Sequence, residues 1–340
     1  MAAPEEIKTL SNQKVDFEES RRIFASVKPN QQPPSAETRE EEGLKYLLDC
    51  EERGVVASAA GLEAAMKRRG GRDAASMAGM VDKGLVDRIG GEWTLTDEGR
   101  RQALEVVRKH RLMETWLARE TSVPAEKWHR AAQEAERQLG PGETDRLADR
   151  LGNPRFDPHG DPIPTREGEL RAGSRVSLGD WPAGCDAVIV HLEDEPEEEY
   201  AQMVRMGLHP GMVLGRIERL GDGVMKFFAE GRWIEIPGRW LEQIHVAGVM
   251  DENRADMAVR RLSDLPVGSF SRVRGLSPAC VGAERRRLLD LGLVPGTEIH
   301  CEFRSPFGSP RSYMIRGSMI ALRREQADRV LVIPDEGGGR

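Results

Sequence analysis

An internal repeat in the second half of the chain constrains the fold more than any other feature of the sequence. The segment VRMGLHPG at Val204–Gly211 resembles LDLGLVPG at Leu289–Gly296, about 85 residues later. Further along each copy, EGRWIEI at Glu230–Ile236 corresponds to RGSMIAL at Arg316–Leu322. Both copies contain short apolar runs with strand periodicity, separated by turns that contain glycine. The repeat therefore predicts two small β-barrels of five strands each.

Upstream of the repeat, the order of predicted elements is that of a winged helix-turn-helix. Leucines recur at helical spacing up to Gly54, and two shorter helical segments follow on either side of Gly70–Gly71. Apolar runs on either side of Gly90–Gly91 then predict a two-stranded hairpin. We therefore expect a winged helix at 37–96, after a polar lead at 1–36 whose composition predicts disorder.

Two amphipathic helices are predicted after the hairpin, and they carry candidate metal ligands. Thr96 is expected to cap a long helix that begins at Asp97, and Gly140 is expected to end the second helix. Imidazole, amide and carboxylate side chains recur on one face of each helix: His110 and Glu114 on the first, and His129, Gln133 and Glu136 on the second. Such groups, converging from two packed helices, suit a divalent transition metal. The alternative is a pair of solvated polar faces.

Charge and cysteine content restrict the class of protein. The net charge of -7 argues against extensive nonspecific coating of nucleic acid, but it allows a local basic patch. The four cysteines are far apart and form no CxxC pair, so neither a zinc ribbon nor a disulfide framework is expected, and a reducing cytoplasm fits best. The sequence contains no apolar run of membrane-spanning length and no phosphate-binding loop, HExxH or GxSxG motif. We therefore expect a cytoplasmic protein that is not an enzyme.

With these elements in order, the sequence resembles the diphtheria-toxin-repressor family of metal-dependent transcriptional regulators. The most specific segments are LTDEGRRQALEVVRKHRLMETWL (Leu95–Leu117) and DPHGDPIP (Asp157–Pro164), and each C-terminal repeat resembles the FeoA-like, SH3-like domain of that family. The resemblance implies an α+β multidomain protein. Its expected parts are the winged helix, a helical dimerisation and metal-binding domain at 97–152, a linker at 153–172, and SH3-like β-barrels at 173–249 and 263–335 joined by a linker at 250–262.

The resemblance also implies a metal site on the two helices, for Fe²⁺ or Mn²⁺. His110, Glu114 and His129 stand at the positions of its imidazole and carboxylate ligands. A carboxylate from the acidic stretch LEDEPEEEY would complete the site, with Glu199 the best match and Glu195 close to it.

A second metal site of the family departs from its pattern in this chain. Gln133, Glu136, Arg137 and Glu42 stand at its positions, and a protonated arginine has no lone pair to offer a metal. Arg137 is expected to pair with Glu136 or Glu42 in place of an ion. Glu136 is therefore the weakest of the candidate metal ligands. The resemblance implies that this site, which is the primary metal site of the family, is degenerate in this chain.

The expected recognition helix is Arg72–Lys83, whose small residues allow a close approach to the major groove of double-stranded DNA. Basic and hydroxyl side chains at and before this helix are the candidate contacts to phosphates and bases: Lys67, Arg68, Arg69, Arg72 and Ser76. The alternative is a solvated charge run beside a winged helix that contacts protein.

A protein that binds an operator with two-fold symmetry is expected to be a homodimer, and apolar side chains on the helix pair suggest an interface. Trp116, Leu117, Trp128 and Leu139 include more apolar surface than two helices alone are expected to bury. The sequence thus predicts a homodimeric, metal-responsive regulator that binds operator DNA. The alternative is an accessory protein of ferrous-iron transport that does not bind DNA, as FeoA-like domains by themselves suggest.

Overall fold

The computed structural model describes residues 36–67, 75–140, 142–170, 173–250 and 256–335. These residues form two compact units. The first contains residues up to 114, with 130–155 and 162–170, and the second contains 115–129, 156–161 and 173–335. Within the described ranges, no helix is both long and apolar enough to cross a membrane.

The first unit opens with three helices and a hairpin. The elements are α1 (Ala36–Arg53), α2 (Ala59–Lys67), α3 (Ala75–Asp82), β1 (Val86–Ile89) and β2 (Glu92–Leu95). The two strands pair antiparallel, with Ile89 opposite Glu92, because Gly90 and Gly91 both adopt the positive φ that the tight turn needs. The leucines predicted to face the core of α1 are buried. This order confirms the predicted winged helix-turn-helix.

A long helix and a shorter pair of helices follow the hairpin. They are α4 (Asp97–Glu120), α5 (Trp128–Ala135), which tightens into a 3-10 turn at Glu136–Gln138, and α6 (Glu143–Arg150). Thr96 caps α4 as predicted, since its hydroxyl oxygen accepts a hydrogen bond of 3.0 Å from the backbone N–H of Gly99. Gly99 has no room for a side chain, because a Cβ there would lie 1.8 Å from the carbonyl oxygen of Leu85.

The apolar residues proposed for a dimer interface are buried inside the protomer. Trp116, Leu117, Trp128 and Leu139 are 1%, 3%, 3% and 8% exposed, so the protomer's own core covers them. The argument that they form a dimer interface is therefore wrong.

Each C-terminal repeat folds into an antiparallel sheet of six strands rather than the five predicted. The first sheet has the order β3-β8-β4-β5-β6-β7, and the second has the order β13-β12-β11-β10-β14-β9. The strands of the first are β3 (Val176–Ser177), β4 (Ala187–Leu192), β5 (Val213–Arg219), β6 (Met225–Ala229), β7 (Arg232–Ile236) and β8 (Ile244–Gly248). Those of the second are β9 (Arg260–Arg261), β10 (Phe270–Leu276), β11 (Glu298–Arg304), β12 (Arg311–Ile315), β13 (Ser318–Leu322) and β14 (Val330–Pro334). No strand pairing closes either sheet within the part of the chain that the structure describes.

Helices and backbone irregularities recur at equivalent places in the two repeats. The helices α7 (Glu197–Arg205) and α8 (Gly282–Asp290) precede the two GL-x-PG segments, and a short helix α9 (Arg324–Ala327) follows β13. Glu230 and Arg316, before β7 and β13, both have a φ of 48°. The β4–β8 and β10–β14 pairs each contain a bulge at the same point. The structure thus confirms the repeat predicted from the sequence.

Buried charges connect the two sheets within the second unit. Glu230 of the first repeat accepts a hydrogen bond of 2.5 Å from the guanidinium of Arg261, and its other oxygen lies 2.7 Å from Nε2 of His209. Arg261 also donates a hydrogen bond of 3.0 Å to the carbonyl oxygen of Asp328 in the second repeat. Burial alone would raise the pKa of Glu230, but His209 and Arg261 outweigh it and lower the pKa.

Candidate metal centre

A cluster of buried charged side chains joins α1, α4 and the turn after α5 in the first unit. His110 and Glu114 on α4 are 6% and 2% exposed, and Nε2 of His110 lies 3.0 Å from Oε1 of Glu114. On the other side of the ring, Nδ1 lies 2.7 Å from Oε2 of Glu136. Lys45 on α1 donates a hydrogen bond of 2.8 Å to Oε1 of Glu136 and lies 3.6 Å from Glu42. We call these five residues the His110 cluster.

Burial disfavours the charges of the His110 cluster, but they stabilise one another. Burial raises the pKa of Glu136, yet Lys45 and His110 outweigh this effect and lower the pKa to about 2. Burial lowers the pKa of His110, but the Glu114 and Glu136 carboxylates outweigh it and the pKa is raised. Burial lowers the pKa of Lys45, but Glu136 and Glu42 outweigh it and the pKa is raised. Glu136 is therefore anionic at neutral pH, and Lys45 is cationic.

The cation beside Glu136 is Lys45, and the prediction that Arg137 replaces the ion is wrong. The ion pairs of Glu136 are with Lys45 and His110, and Glu42 pairs with Lys45. Lys45 follows Glu42 by three residues on α1, so both side chains point the same way from the helix. Its ammonium carries no lone pair, so the Glu42–Glu136 side of the cluster does not fit a metal ion.

The His110–Glu114 side of the cluster has the donors that a divalent ion requires. An imidazole nitrogen and a carboxylate oxygen lie 3.0 Å apart and are buried, and both are ligand types for iron, manganese and zinc. The sequence assigned His110 and Glu136 to separate sites, whereas one imidazole contacts both carboxylates. The residues of the first unit therefore fit one divalent ion rather than two.

His129, the third predicted ligand, belongs to the second unit and contacts a different carboxylate from the one predicted. Nδ1 of His129 lies 3.0 Å from Oδ2 of Asp194. Glu199 instead accepts a hydrogen bond from the side-chain amide of Gln243. Glu195, the neighbouring candidate, is exposed. Sequence reasoning pointed to this acidic stretch but did not single out Asp194, which precedes α7 rather than lying on it.

The side chains predicted to contact DNA lie outside the described residues. Arg68, Arg69 and Arg72 fall in the segment 68–74, for which no structure is given. Lys67 ends α2 and Ser76 lies in the first turn of α3, and the structure describes the backbone of these two residues but not their side chains. Their role in DNA binding stays a prediction.

Comparison with known proteins agrees with this arrangement of domains. Residues 96–165 match the family model of the iron dependent repressor, metal binding and dimerisation domain, and residues 260–334 match the FeoA domain. The iron-dependent repressor IdeR of Mycobacterium leprae is 32% identical over an alignment of 168 positions that covers 45% of this chain and 72% of that protein. IdeR of Mycobacterium tuberculosis is 32% identical over 155 residues, so this chain spans 64% of the length of that relative.

Two solved structures share the fold over more of the chain. A manganese-dependent transcriptional repressor in complex with manganese has 26% identity and a TM-score of 0.54, over 62% of this chain and 99% of the other. A second structure of a manganese-dependent transcriptional repressor has 25% identity and a TM-score of 0.51 over the same share of this chain. With its repressor-type metal-binding domain, its winged helix and its FeoA-like repeats, the chain belongs to the iron-dependent repressor family, also called the diphtheria-toxin-repressor family.

Proposed function

We propose that this protein is a homodimeric transcriptional regulator that binds operator DNA and responds to a divalent transition metal. The observation that carries the proposal is the pair His110 and Glu114, buried on α4 at 3.0 Å from each other in the segment that matches the repressor metal-binding domain. Relatives with that domain are named for iron, and solved neighbours are named for manganese. Fe²⁺ and Mn²⁺ are accordingly the ions that we propose.

The proposed ligands are His110, Glu114 and His129, with Asp194 as the carboxylate beside His129. Binding of a divalent ion there would require a free lone pair on each imidazole and would release any proton that His110 carries. Glu136 has a different role in this proposal. Its two oxygens already engage His110 and Lys45, so it orients the imidazole and anchors α1 without binding metal. The response to metal therefore depends on one ion per protomer.

DNA binding is proposed for the segment that connects α2 to α3. Lys67, Arg68, Arg69 and Arg72 would neutralise backbone phosphates, and Ser76 would lie at a base edge or a phosphate. A winged helix of this kind reads one half-site, so a homodimer would read two half-sites of an operator related by two-fold symmetry. The dimerisation domain matched at residues 96–165 supports this assembly.

The test is binding of the full-length protein to a labelled fragment of its own promoter, measured by fluorescence anisotropy with Mn²⁺ and with chelator over a range of salt. We expect binding that weakens steeply with salt and is tighter with Mn²⁺. Arg72→Ala should reduce both the affinity and the salt dependence, because it removes a phosphate contact. Arg205→Ala, on α7, is the control and should leave binding unchanged. Absence of salt-dependent binding under all conditions would exclude the regulator and leave the iron-transport accessory protein as the better description.

A further inference from the structure

The first FeoA-like repeat contains a second group of possible metal donors, far in sequence from the His110 cluster. His191 and Glu193 lie at the end of β4, and His245 lies directly opposite His191 on β8. One donor atom from each residue lies within 4.8 Å of the other two. We propose that this His191 cluster (His191, Glu193 and His245) binds a divalent first-row transition metal of the zinc class.

Strand geometry brings the three donors to one place. Glu193 directly follows β4, where its backbone N–H donates a hydrogen bond of 2.9 Å to the carbonyl oxygen of Gln243, so the chain stays extended and Glu193 lies on the same side as His191. The cross-strand register adds His245 from β8, and the two imidazole centroids are 5.3 Å apart. Two imidazoles and one carboxylate are a common donor set for zinc, with a water molecule in the fourth position.

His191 is buried between two carboxylates. The residue is 3% exposed. Its Nδ1 lies 3.1 Å from Oδ1 of Asp161 and its Nε2 lies 3.5 Å from Oε1 of Glu193, but neither nitrogen forms an aligned hydrogen bond within the described residues. Buried polar side-chain atoms are mostly hydrogen bonded. Two carboxylates around one buried imidazole favour a cation at this position.

Asp161 supplies the outer carboxylate that metal-binding histidines usually have. Its Oδ1 lies beside Nδ1 of His191 and also accepts a hydrogen bond of 3.0 Å from Arg175. With a metal ion on Nε2, a proton on Nδ1 would face Asp161, as in a carboxylate–histidine–metal triad. Glu193 and His245 are only half-buried, so an ion can reach the cluster from solvent.

The linker motif DPHGDPIP holds Asp161 in this position. Oδ1 of Asp157 accepts hydrogen bonds of 2.9 Å from the backbone N–H groups of His159, Gly160 and Asp161. Gly160 has a φ of 101°, and a Cβ there would lie 1.9 Å from the carbonyl oxygen of Val190 on β4. Only glycine permits this close approach of the linker to the strand. The turn therefore places the Asp161 carboxylate against His191.

The second repeat shows that the fold does not require this cluster. After the equivalent bulge, Gly275 on β10 pairs with Leu331 on β14, where the first repeat pairs His191 with His245. The same backbone register is thus built with a glycine and a buried leucine. The donors in the first repeat are an addition to the fold, and metal binding accounts for them.

The test is equilibrium dialysis of the full-length protein against Zn²⁺, combined with long-range ¹H–¹⁵N correlation spectra of the histidine rings. We expect His245→Gln and Glu193→Gln each to bind one fewer ion per chain than the wild type. Zn²⁺ should shift the ring nitrogens of His245 in the wild-type spectrum. Asp161→Asn should weaken the affinity of this site about 10- to 100-fold, as loss of an outer-shell carboxylate does.

His300→Gln is the matched control. His300 and Glu302 also lie two apart on a strand of a FeoA-like repeat, with Nδ1 2.7 Å from the carboxylate, but Met314 and Phe270 are the residues paired with His300. This variant should bind as many ions as the wild type. Because Glu193 and His245 are half-buried, their variants are expected to fold, and circular dichroism verifies this. Wild-type stoichiometry in both variants, with unshifted His245 nitrogens, would overturn the proposal.

Discussion

Replacing Lys45 with methionine removes the cation that pairs with Glu42 and Glu136. Methionine keeps most of the length of the side chain but leaves Glu136, 3% exposed, with His110 as its one remaining cationic neighbour. Loss of one partner from a buried ion pair typically costs about 3–5 kcal/mol. The lowered pKa of Glu136 has the matching sign, because Lys45 and His110 favour its anionic form more than burial disfavours it. We expect Lys45→Met to lower the free energy of unfolding by about 3 kcal/mol.

The assay is urea unfolding at neutral pH, followed by circular dichroism, in a double-mutant cycle with Glu136→Gln. The double variant should lose less than the sum of the single variants, because removing both charges leaves neither one unpaired. Lys83→Met is the matched control. Its ammonium lies 2.6 Å from Glu40 of α1, but the side chain is 58% exposed, so the loss should stay below about 1 kcal/mol.

Metal addition extends the same experiment. Without the ammonium, Glu42 and Glu136 form an acidic pair that favours a cation, so Mn²⁺ should stabilise Lys45→Met more than it stabilises the wild type. Equal losses for Lys45→Met and Lys83→Met, together with equal stabilisation by Mn²⁺, would refute the idea that Lys45 substitutes for an ion.

Three further predictions concern the second unit. The native pKa of Glu230 is lowered, so its ion pairs stabilise the fold above its unfolded pKa of about 4.3, and this stabilisation is lost as the pH falls further. Glu230→Gln should therefore lower the urea midpoint at neutral pH, and the variant should lose less stability than the wild type on acidification. Cys185 is exposed and the other three cysteines are buried, so one thiol per chain should react quickly with a disulfide reagent before unfolding and four after it. Gly160→Ala should lower the free energy of unfolding, measured with urea, by about 1–3 kcal/mol or more, because its Cβ would meet the carbonyl oxygen of Val190. The control Gly184→Ala should lower it less, because Gly184 has a similar φ but lies in open space.

Local signals in the sequence were sufficient for most of the fold. The Thr96 cap, the glycine turn of the wing and the repeated GL-x-PG segments each depend on residues that are close in the chain, so spacing and turn chemistry identify them. The sixth strand of each sheet was missed for a physical reason. β3 and β9 contain two residues each, which is too short for any alternation of apolar and polar side chains to be seen.

The polar clusters depend on contacts that no local pattern encodes. Lys45 and Glu136 are 91 positions apart in the chain, whereas Arg137, the cation predicted from the sequence, is adjacent to Glu136. The acidic stretch before α7 was identified, but the choice between Asp194 and Glu199 depends on where that helix begins. No local motif marks His245, and only the β4–β8 register brings it opposite His191.

Charge balance in the His110 cluster supports the proposal of one metal ion beside one lysine. Glu42, Glu114 and Glu136 contribute three negative charges when all are ionised, and Lys45 contributes one positive charge. A single divalent ion on neutral His110 brings the sum to zero, whereas a second would leave an excess of two positive charges in a buried site, at a high cost in desolvation. Without metal, protonation of His110 still leaves the cluster with a net charge of −1. In the proposed site, the ammonium of Lys45 thus disfavours a second ion beside Glu136, and the remaining imbalance favours the uptake of one.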